Sequence, residues 1–185
     1  MARIEERGAL GRLRAKLLSD VHGDVLEIGA GTGTNFAHYP PDARVVALEP
    51  DPHMLKRAER QRTPNVELRQ APAERLPCED ASFDVVVSTL VLCTVDDVPA
   101  ALAEIKRVLR PGGELRFIEH VRSDGVVGRM QDVLQPAYGW FAAGCQWNRR
   151  TEDALRAAGF ALPALSRTKL APPMPAIYGT ATVDR

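Results

Sequence analysis

The chain has 185 residues, 45% of them apolar and 26% charged, the balance of an ordinary folded domain long enough to bury a substantial core. Its 24 Lys and Arg match its 24 Asp and Glu, so no global charge draws it to nucleic acid or to an anionic membrane. Cys78, Cys93 and Cys145 include no Cys-x-x-Cys pair, which argues against a disulfide framework or a structural zinc site and fits a reducing cytoplasm.

The first residues are charged (Arg3, Glu5, Glu6, Arg7) and lack the apolar core of a signal peptide. No run approaches the roughly 20 apolar residues that span a bilayer. Residues 3–20 are expected to be helical, with Ile4, Leu10, Leu13, Leu17 and Leu18 close to one face. Strand-like runs follow at 24–28, 44–48, 65–69, 83–88 and 114–119, separated by helical stretches near 33–39, 51–61 and 97–109. Asp51-Pro52 reads as a cap with proline at the first helical position, and Asp96 is placed to cap the next helix. Arg110-Pro111-Gly112-Gly113 is expected to stop that helix and feed the fifth strand. This alternation predicts an α/β fold with a parallel sheet and helices on both faces. Residues 125–148 break the pattern: they hold both tryptophans, Trp140 and Trp147, and are interrupted by Pro136 and several glycines. A helix near 151–158 and two strands, 160–166 and 176–183, complete the chain.

The run Asp24 to Gly33, DVLEIGAGTG, carries the most chemistry. A buried-looking strand enters a turn with glycines at alternate positions, Gly29, Gly31 and Gly33, where a ligand can approach the backbone more closely than side chains permit. Glu49 ends the next strand, where an acid meets ribose hydroxyls in a nucleotide-binding βαβ unit. The spacing is E-x-G-x-G-x-G rather than the G-x-G-x-x-G of dinucleotide sites, which suits a nucleoside ligand without phosphates such as S-adenosylmethionine. Glu27 would then serve the cationic amino-acid end through water, with the backbone from Gly29 through Ala30 and Gly31 to Gly33 along the ligand. Pro50 and Met54 would pack on adenine.

VLEIGAGTG, VVALEPDPHML, APAERLP, FDVVVSTLVL and VLRPGG, in this order, resemble a class I S-adenosylmethionine-dependent methyltransferase. The resemblance implies a Rossmann-like doubly wound sheet of seven strands, mostly parallel, with the last strand antiparallel in a terminal hairpin. It implies one domain over 1–185: an N-terminal helix (1–21), a cofactor-binding core (22–120), an acceptor-side segment (121–150) and a C-terminal helix and hairpin (151–185). Pro72 stands where many relatives carry the acid that receives the adenine amino group, leaving adenine to the Ala73 N–H and Glu74. Asn35, Thr89 and Leu90 complete the expected cofactor contacts.

LVLCTVDD, FIEHV at 117–121, QDVLQPAY at 131–138, Gly144-Cys145 and Ile177-Tyr178-Gly179 resemble more narrowly a branch that includes alkyl-thiol S-methyltransferases. Membrane-associated members of that branch carry an N-terminal hydrophobic anchor, which is not expected here. A thiol is a good acceptor because, with a pKa near 8.5, about 3% is already thiolate at pH 7. His120, directly after the fifth strand, is positioned to take the thiol proton or orient the acceptor. Trp140, Cys145 and Trp147 are candidates for the acceptor pocket. His22, His38 and His53 lack metal-ligand spacing, and no metal is expected. Carbon or oxygen methylation of a quinone- or lipid-like molecule, and a non-catalytic cofactor-binding regulator, are the alternatives. The expected partner is a small-molecule methyl acceptor rather than nucleic acid, and the expected state a cytoplasmic monomer or homodimer.

Overall fold

The computed structural model describes residues 8–141, 144–171 and 174–183, excluding the side chains of Trp140, Phe141 and Ala171. Its strands are β1 (Asp24–Ile28), β2 (Arg44–Leu48), β3 (Val66–Arg69), β4 (Phe83–Thr89), β5 (Leu109–His120), β6 (Phe160–Ala171) and β7 (Met174–Val183). Its helices are α1 (Ala9–Leu18), α2 (Pro52–Glu59), α3 (Val98–Val108), α4 (Gly125–Phe141) and α5 (Thr151–Ala157). The strands form one sheet in the order β3-β2-β1-β4-β5-β7-β6. Neighbours from β3 to β5 are parallel, whereas β7 runs antiparallel to both β5 and β6. This is the expected Rossmann-like sheet with its antiparallel last strand.

Helices cover both faces because alternate side chains of each central strand point opposite ways. Leu26, Ile28, Val86 and Phe117 join the core that takes Leu102 and Ile105 of α3 and Leu155 of α5. Val25, Val85, Val87 and Ile118 point the other way, into the core shared with Leu17 and Leu18 of α1 and Ala58 of α2. Each fully buried Leu, Ile or Phe contributes about 1.5–3 kcal/mol relative to exposure. The strand order reverses between β1 and β4, so a crevice opens beyond their carboxyl ends, the place where open α/β sheets bind ligands.

Three local expectations are corrected. Residues 33–39 form only a short 3₁₀ turn, Phe36–His38, because the Asn35 side chain and the Phe36 ring are both drawn into the interior. The 109–113 stretch lies inside β5 rather than before it. The pairing shifts between Phe83 opposite Leu109 and Val85 opposite Glu114, so the Pro-Gly-Gly residues are absorbed as an irregularity in the strand. The α3 cap is Asp97, whose side chain accepts from the Ala100 N–H at 2.9 Å, and not Asp96. Asp51 does cap α2, accepting from His53 and Met54, with Pro52 at the first turn. The helix expected over 3–20 is present as α1 from Ala9; residues 3–7 lie outside the described residues. Residues 125–141 form α4 with Pro136 inside it, and no helix among the described residues is long and apolar enough to cross a membrane.

The cap correction separates two adjacent acids. Asp97→Ala is expected to lower stability by about 0.5–2 kcal/mol. Asp96→Ala should stay within about 0.5 kcal/mol of the parent. Urea unfolding of the two variants checks this, and equal losses would contradict the assigned cap.

Candidate active site

Two connected hollows occupy the crevice. The larger, about 480 Å³, is lined by Gly29, Gly31, Glu49, Pro50, Met54, Ala73 and Glu74, with Leu90 to Asp96 except Leu92 and Cys93 along its far wall. That volume falls in the range typical of small-molecule sites. The smaller, about 300 Å³, shares Gly29, Gly31, Met54 and Leu90 and reaches Arg14, Glu27, Ala30, Asn35 and Thr89.

The glycine turn shapes both. Gly29 has φ +59°, and a Cβ there would lie 2.5 Å from a methyl of Val91, so the Val91 side chain of the loop after β4 packs directly on the bare turn. Gly31, also at φ +59°, would point a Cβ at open space; its bareness leaves room for a ligand rather than for a neighbour. Gly33 lies behind the turn, against Phe36 and Ala58, and is not part of the cleft wall. The Ala30 N–H is tied to the Leu48 carbonyl at 2.9 Å, locking the turn to the end of β2.

Glu49 follows β2 and is buried. One carboxylate oxygen accepts from the Gly31 N–H at 2.8 Å and the other from the Asp51 N–H at 2.9 Å. Each oxygen keeps a lone pair for a ligand hydroxyl. Glu27 lies deeper, accepting from the Asn35 amide at 3.0 Å and the Tyr39 hydroxyl at 2.8 Å. The Asn35 amide also bonds the Thr89 hydroxyl at 3.1 Å, joining the glycine turn to β4. Burial pushes the Glu27 carboxyl up to about 7; Tyr39, Asn35 and the charge of Arg14 oppose that rise. Sequence reasoning missed Tyr39 and Arg14, because only the fold brings them over Glu27.

The segment after β3 is held from α3. Glu104 accepts the Leu76 N–H at 2.7 Å, while Arg107 donates to the carbonyls of Leu76 and Cys78 and to Asp80. This clamp sets Ala73 and Glu74 at the cleft, and Glu74 accepts the Asp96 N–H at 3.0 Å across it.

The opposite wall depends on Glu119, which sequence reading did not single out. This fully buried carboxylate accepts from the Ser88 hydroxyl at 2.7 Å and from the N–H groups of Val91, Leu92 and Cys93 at 3.1 to 3.2 Å. Burial pushes it up to about 7 against those four bonds. Its grip fixes the turn after β4, in which Leu90 takes the unfavourable φ of +60° and faces both hollows. The FIEHV run was the available signal, since an acid among buried apolar residues needs partners.

His120, Cys145 and Trp147, expected at the acceptor, lie together in the structure, but none of them is part of the cleft wall. His120 Nδ1 lies 3.6 Å from Cys145 Sγ, which in turn lies 3.5 Å from Cys93 Sγ. Cys145 ionises ahead of Cys93. The bond from Cys93, then His120 and Arg149, pull Cys145 down, while the same sulfur contact and burial push Cys93 up. Trp147 is buried and stacks on Tyr138 with ring centroids 4.4 Å apart. The Trp140 side chain lies outside the described residues. Leu90 joins the two regions: it lines the cleft and packs against the Cys93, Cys145 and Trp147 cluster.

Residues 26–117 match the family model described as a methyltransferase domain. The chain is 42% identical over 144 residues to thiol S-methyltransferase TMT1B of Homo sapiens, covering 74% of this chain and 59% of that protein. A solved S-adenosylmethionine-dependent methyltransferase of Thermotoga maritima, a possible histamine N-methyltransferase, superposes with a TM-score of 0.73 at 25% identity, covering 98% of this chain and 92% of that one. The chain belongs to the S-adenosylmethionine-dependent methyltransferases. S-adenosylmethionine is therefore its cofactor, as the E-x-G-x-G-x-G spacing suggested. The demethylmenaquinone methyltransferase of Chlorobaculum tepidum is less similar to this methyltransferase, at 33% over 113 residues covering 60% of the chain and 46% of that enzyme.

Glu119→Ala leaves four buried donors without their acceptor, and at about 1–3 kcal/mol each the loss is only partly relieved by relaxation. A stability loss of about 3–5 kcal/mol is expected by denaturant unfolding. Glu119→Gln, which turns one acceptor into a donor, should cost less, about 1–3 kcal/mol. A neutral Glu119→Ala would show that the turn after β4 is held by other means.

Proposed function

We propose that this methyltransferase moves the sulfonium methyl of S-adenosylmethionine to the thiol sulfur of a small, lipophilic acceptor. The observation that carries the reading is the 42% identity to a thiol S-methyltransferase over 144 residues, an alignment longer than the matched domain itself. The chain spans 59% of that relative's length, so its substrate is inferred from the shared part.

On this reading the cofactor's ribose hydroxyls sit on Glu49, its adenine lies against Pro50 and Met54 with its edge toward Ala73 and Glu74, and its amino-acid end enters the smaller hollow. There Glu27, Asn35 and Thr89 face the ammonium group. The thiolate sulfur attacks the methyl carbon; the sulfonium C–S bond breaks and its electron pair stays on the sulfur of S-adenosylhomocysteine. The thiol proton leaves to solvent. Because the donor is already activated, alignment and exclusion of water are the protein's main contributions, and alignment can supply about 7–11 kcal/mol. A balanced net charge and the absence of a basic run support a small molecule over a nucleic acid as acceptor. Free cysteines fit a reducing, cytoplasmic setting.

Incubation with methyl-labelled S-adenosylmethionine and matched panels of alkyl thiols, phenols and quinols tests the acceptor. Labelled thioethers are expected, with phenols and quinols at least ten-fold slower. Methylated phenols or quinols without any thioether would overturn the thiol reading.

The ammonium assignment predicts a pH dependence. With its carboxyl raised to about 7, Glu27 is mostly protonated below that pH in the free protein and must lose its proton to pair with the ammonium. Cofactor affinity should therefore rise with pH up to about 7 and weaken by at most about ten-fold per unit below it. Glu27→Gln should bind more weakly and flatten that slope. Calorimetric titrations across this range decide it; an unchanged slope in the variant would place the ammonium elsewhere.

A further inference from the structure

We propose that Cys93, His120 and Cys145 form a zinc(II) site with three protein ligands, whose fourth position takes the acceptor thiol as thiolate. The three donor atoms all lie within 4.8 Å of one another. Two of their three separations match edges of a metal tetrahedron. With Zn–S near 2.3 Å and Zn–N near 2.0 Å, tetrahedral angles set S···S at about 3.8 Å and S···N at about 3.6 Å. The sulfur atoms of Cys93 and Cys145 are 3.5 Å apart, and Cys145 Sγ lies 3.6 Å from His120 Nδ1. A disulfide would need a separation of about 2.05 Å.

The surroundings hold the donors in place. The three residues are 0%, 7% and 8% exposed for Cys93, His120 and Cys145. The Cys93 N–H is held by Glu119 and its carbonyl by the Gln146 N–H, while Gln135 holds the Cys145 carbonyl. His120 Nε2 is buried and has no protein partner among the described residues, so the ring's only polar contact there is the sulfur facing Nδ1. Before a thiol enters, two thiolates, a neutral ring and a divalent ion leave no net charge in a buried site, whereas a lone buried thiolate would be costly.

The donor chemistry selects the ion. Thiolate and imidazole favour zinc over magnesium or calcium. Three protein ligands with an open fourth position is the arrangement of a reactive zinc rather than of a closed structural one. A thiol entering that position forms a metal–sulfur bond and releases its proton to solvent. Among the described residues, Leu90 both packs against this cluster and lines the cleft. The cluster was hidden in the sequence because its members are separated by 27 and 25 positions, with none of the short spacing that marks zinc motifs.

The metal ligation stands on geometry alone; the thiol at the fourth position rests on the proposed acceptor. The full chain, stripped with chelator under reducing conditions, is titrated with cobalt(II). One equivalent should give sulfur-to-cobalt charge transfer and tetrahedral ligand-field bands that zinc(II) abolishes. Cys93→Ser, Cys145→Ser and His120→Ala should each weaken binding at least ten-fold while circular dichroism and cofactor binding confirm a folded chain. No such bands in the parent, or bands that persist in a Cys93→Ser/Cys145→Ser chain, would overturn the site. Addition of an alkyl thiol should intensify the charge transfer; an unchanged spectrum would overturn thiol ligation. Thiol methylation at full rate by metal-free protein overturns thiol ligation while leaving the acceptor reading intact, and metal binding without thiol methylation in the panel tells against the acceptor alone.

Discussion

The buried carboxylate of Glu119 is the constraint on which the rest of the site depends. It lies one residue before the end of β5, and four donors from β4 and the turn that leaves it converge on its two oxygens. One acid thereby fixes Leu90 at the cleft, Val91 against the bare Gly29, and Cys93 beside His120 and Cys145. A hydrophobic residue in its place could fill the volume but could not satisfy three backbone N–H groups that the turn leaves unpaired. The cost of burying the carboxyl is thus offset by the order it imposes on both halves of the molecule.

The cofactor half has the same logic in two more places. Glu49 is held by N–H groups from its own strand end and from the glycine turn, so its oxygens stand ready without a ligand to organise them. Glu27 is held instead by side chains, Asn35 and Tyr39, and lies close enough to neutral at pH 7 for a cationic ligand to decide its charge. Two acids in one crevice therefore differ in kind. One is an anchored acceptor and the other a group whose proton would be linked to binding if it meets the ammonium as proposed.

Most of this half was legible in the sequence because its signals are local. The strand runs, the alternate glycines and the acid at the end of β2 each depend on residues a few positions apart, and backbone geometry turns such spacing directly into shape. What the sequence concealed was set by tertiary contact. Residues 33–39 look helical by pattern, yet Asn35 and Phe36 are pulled inward by Glu27, Thr89 and the core. Asp96 and Asp97 are both reasonable caps, and only the direction of chain entry chooses Asp97. Tyr39 carries no local signature, and Glu119 only that of an acid set among apolar residues. Their roles follow from which unpaired groups happen to face them after folding.

The same distinction explains why the acceptor side reads so differently from the cofactor side. S-adenosylmethionine is one molecule, recognised by backbone turns and fixed acids, and that demand leaves a local imprint. An acceptor thiol presents little beyond an apolar chain and one sulfur, so its recognition calls for surface and for a way to favour the thiolate. Of the apolar residues near the cluster, Leu90 lines the cleft, while the stacked Tyr138–Trp147 pair packs behind it, and such residues would suit any core. Favouring the thiolate needs positive charge in a buried place, and the Cys93, Cys145 and His120 cluster is the group of described residues proposed to hold it. Specificity for sulfur would then come from the affinity of a soft ion for a soft donor, a discrimination that side-chain shape alone makes poorly between a thiol and an alcohol.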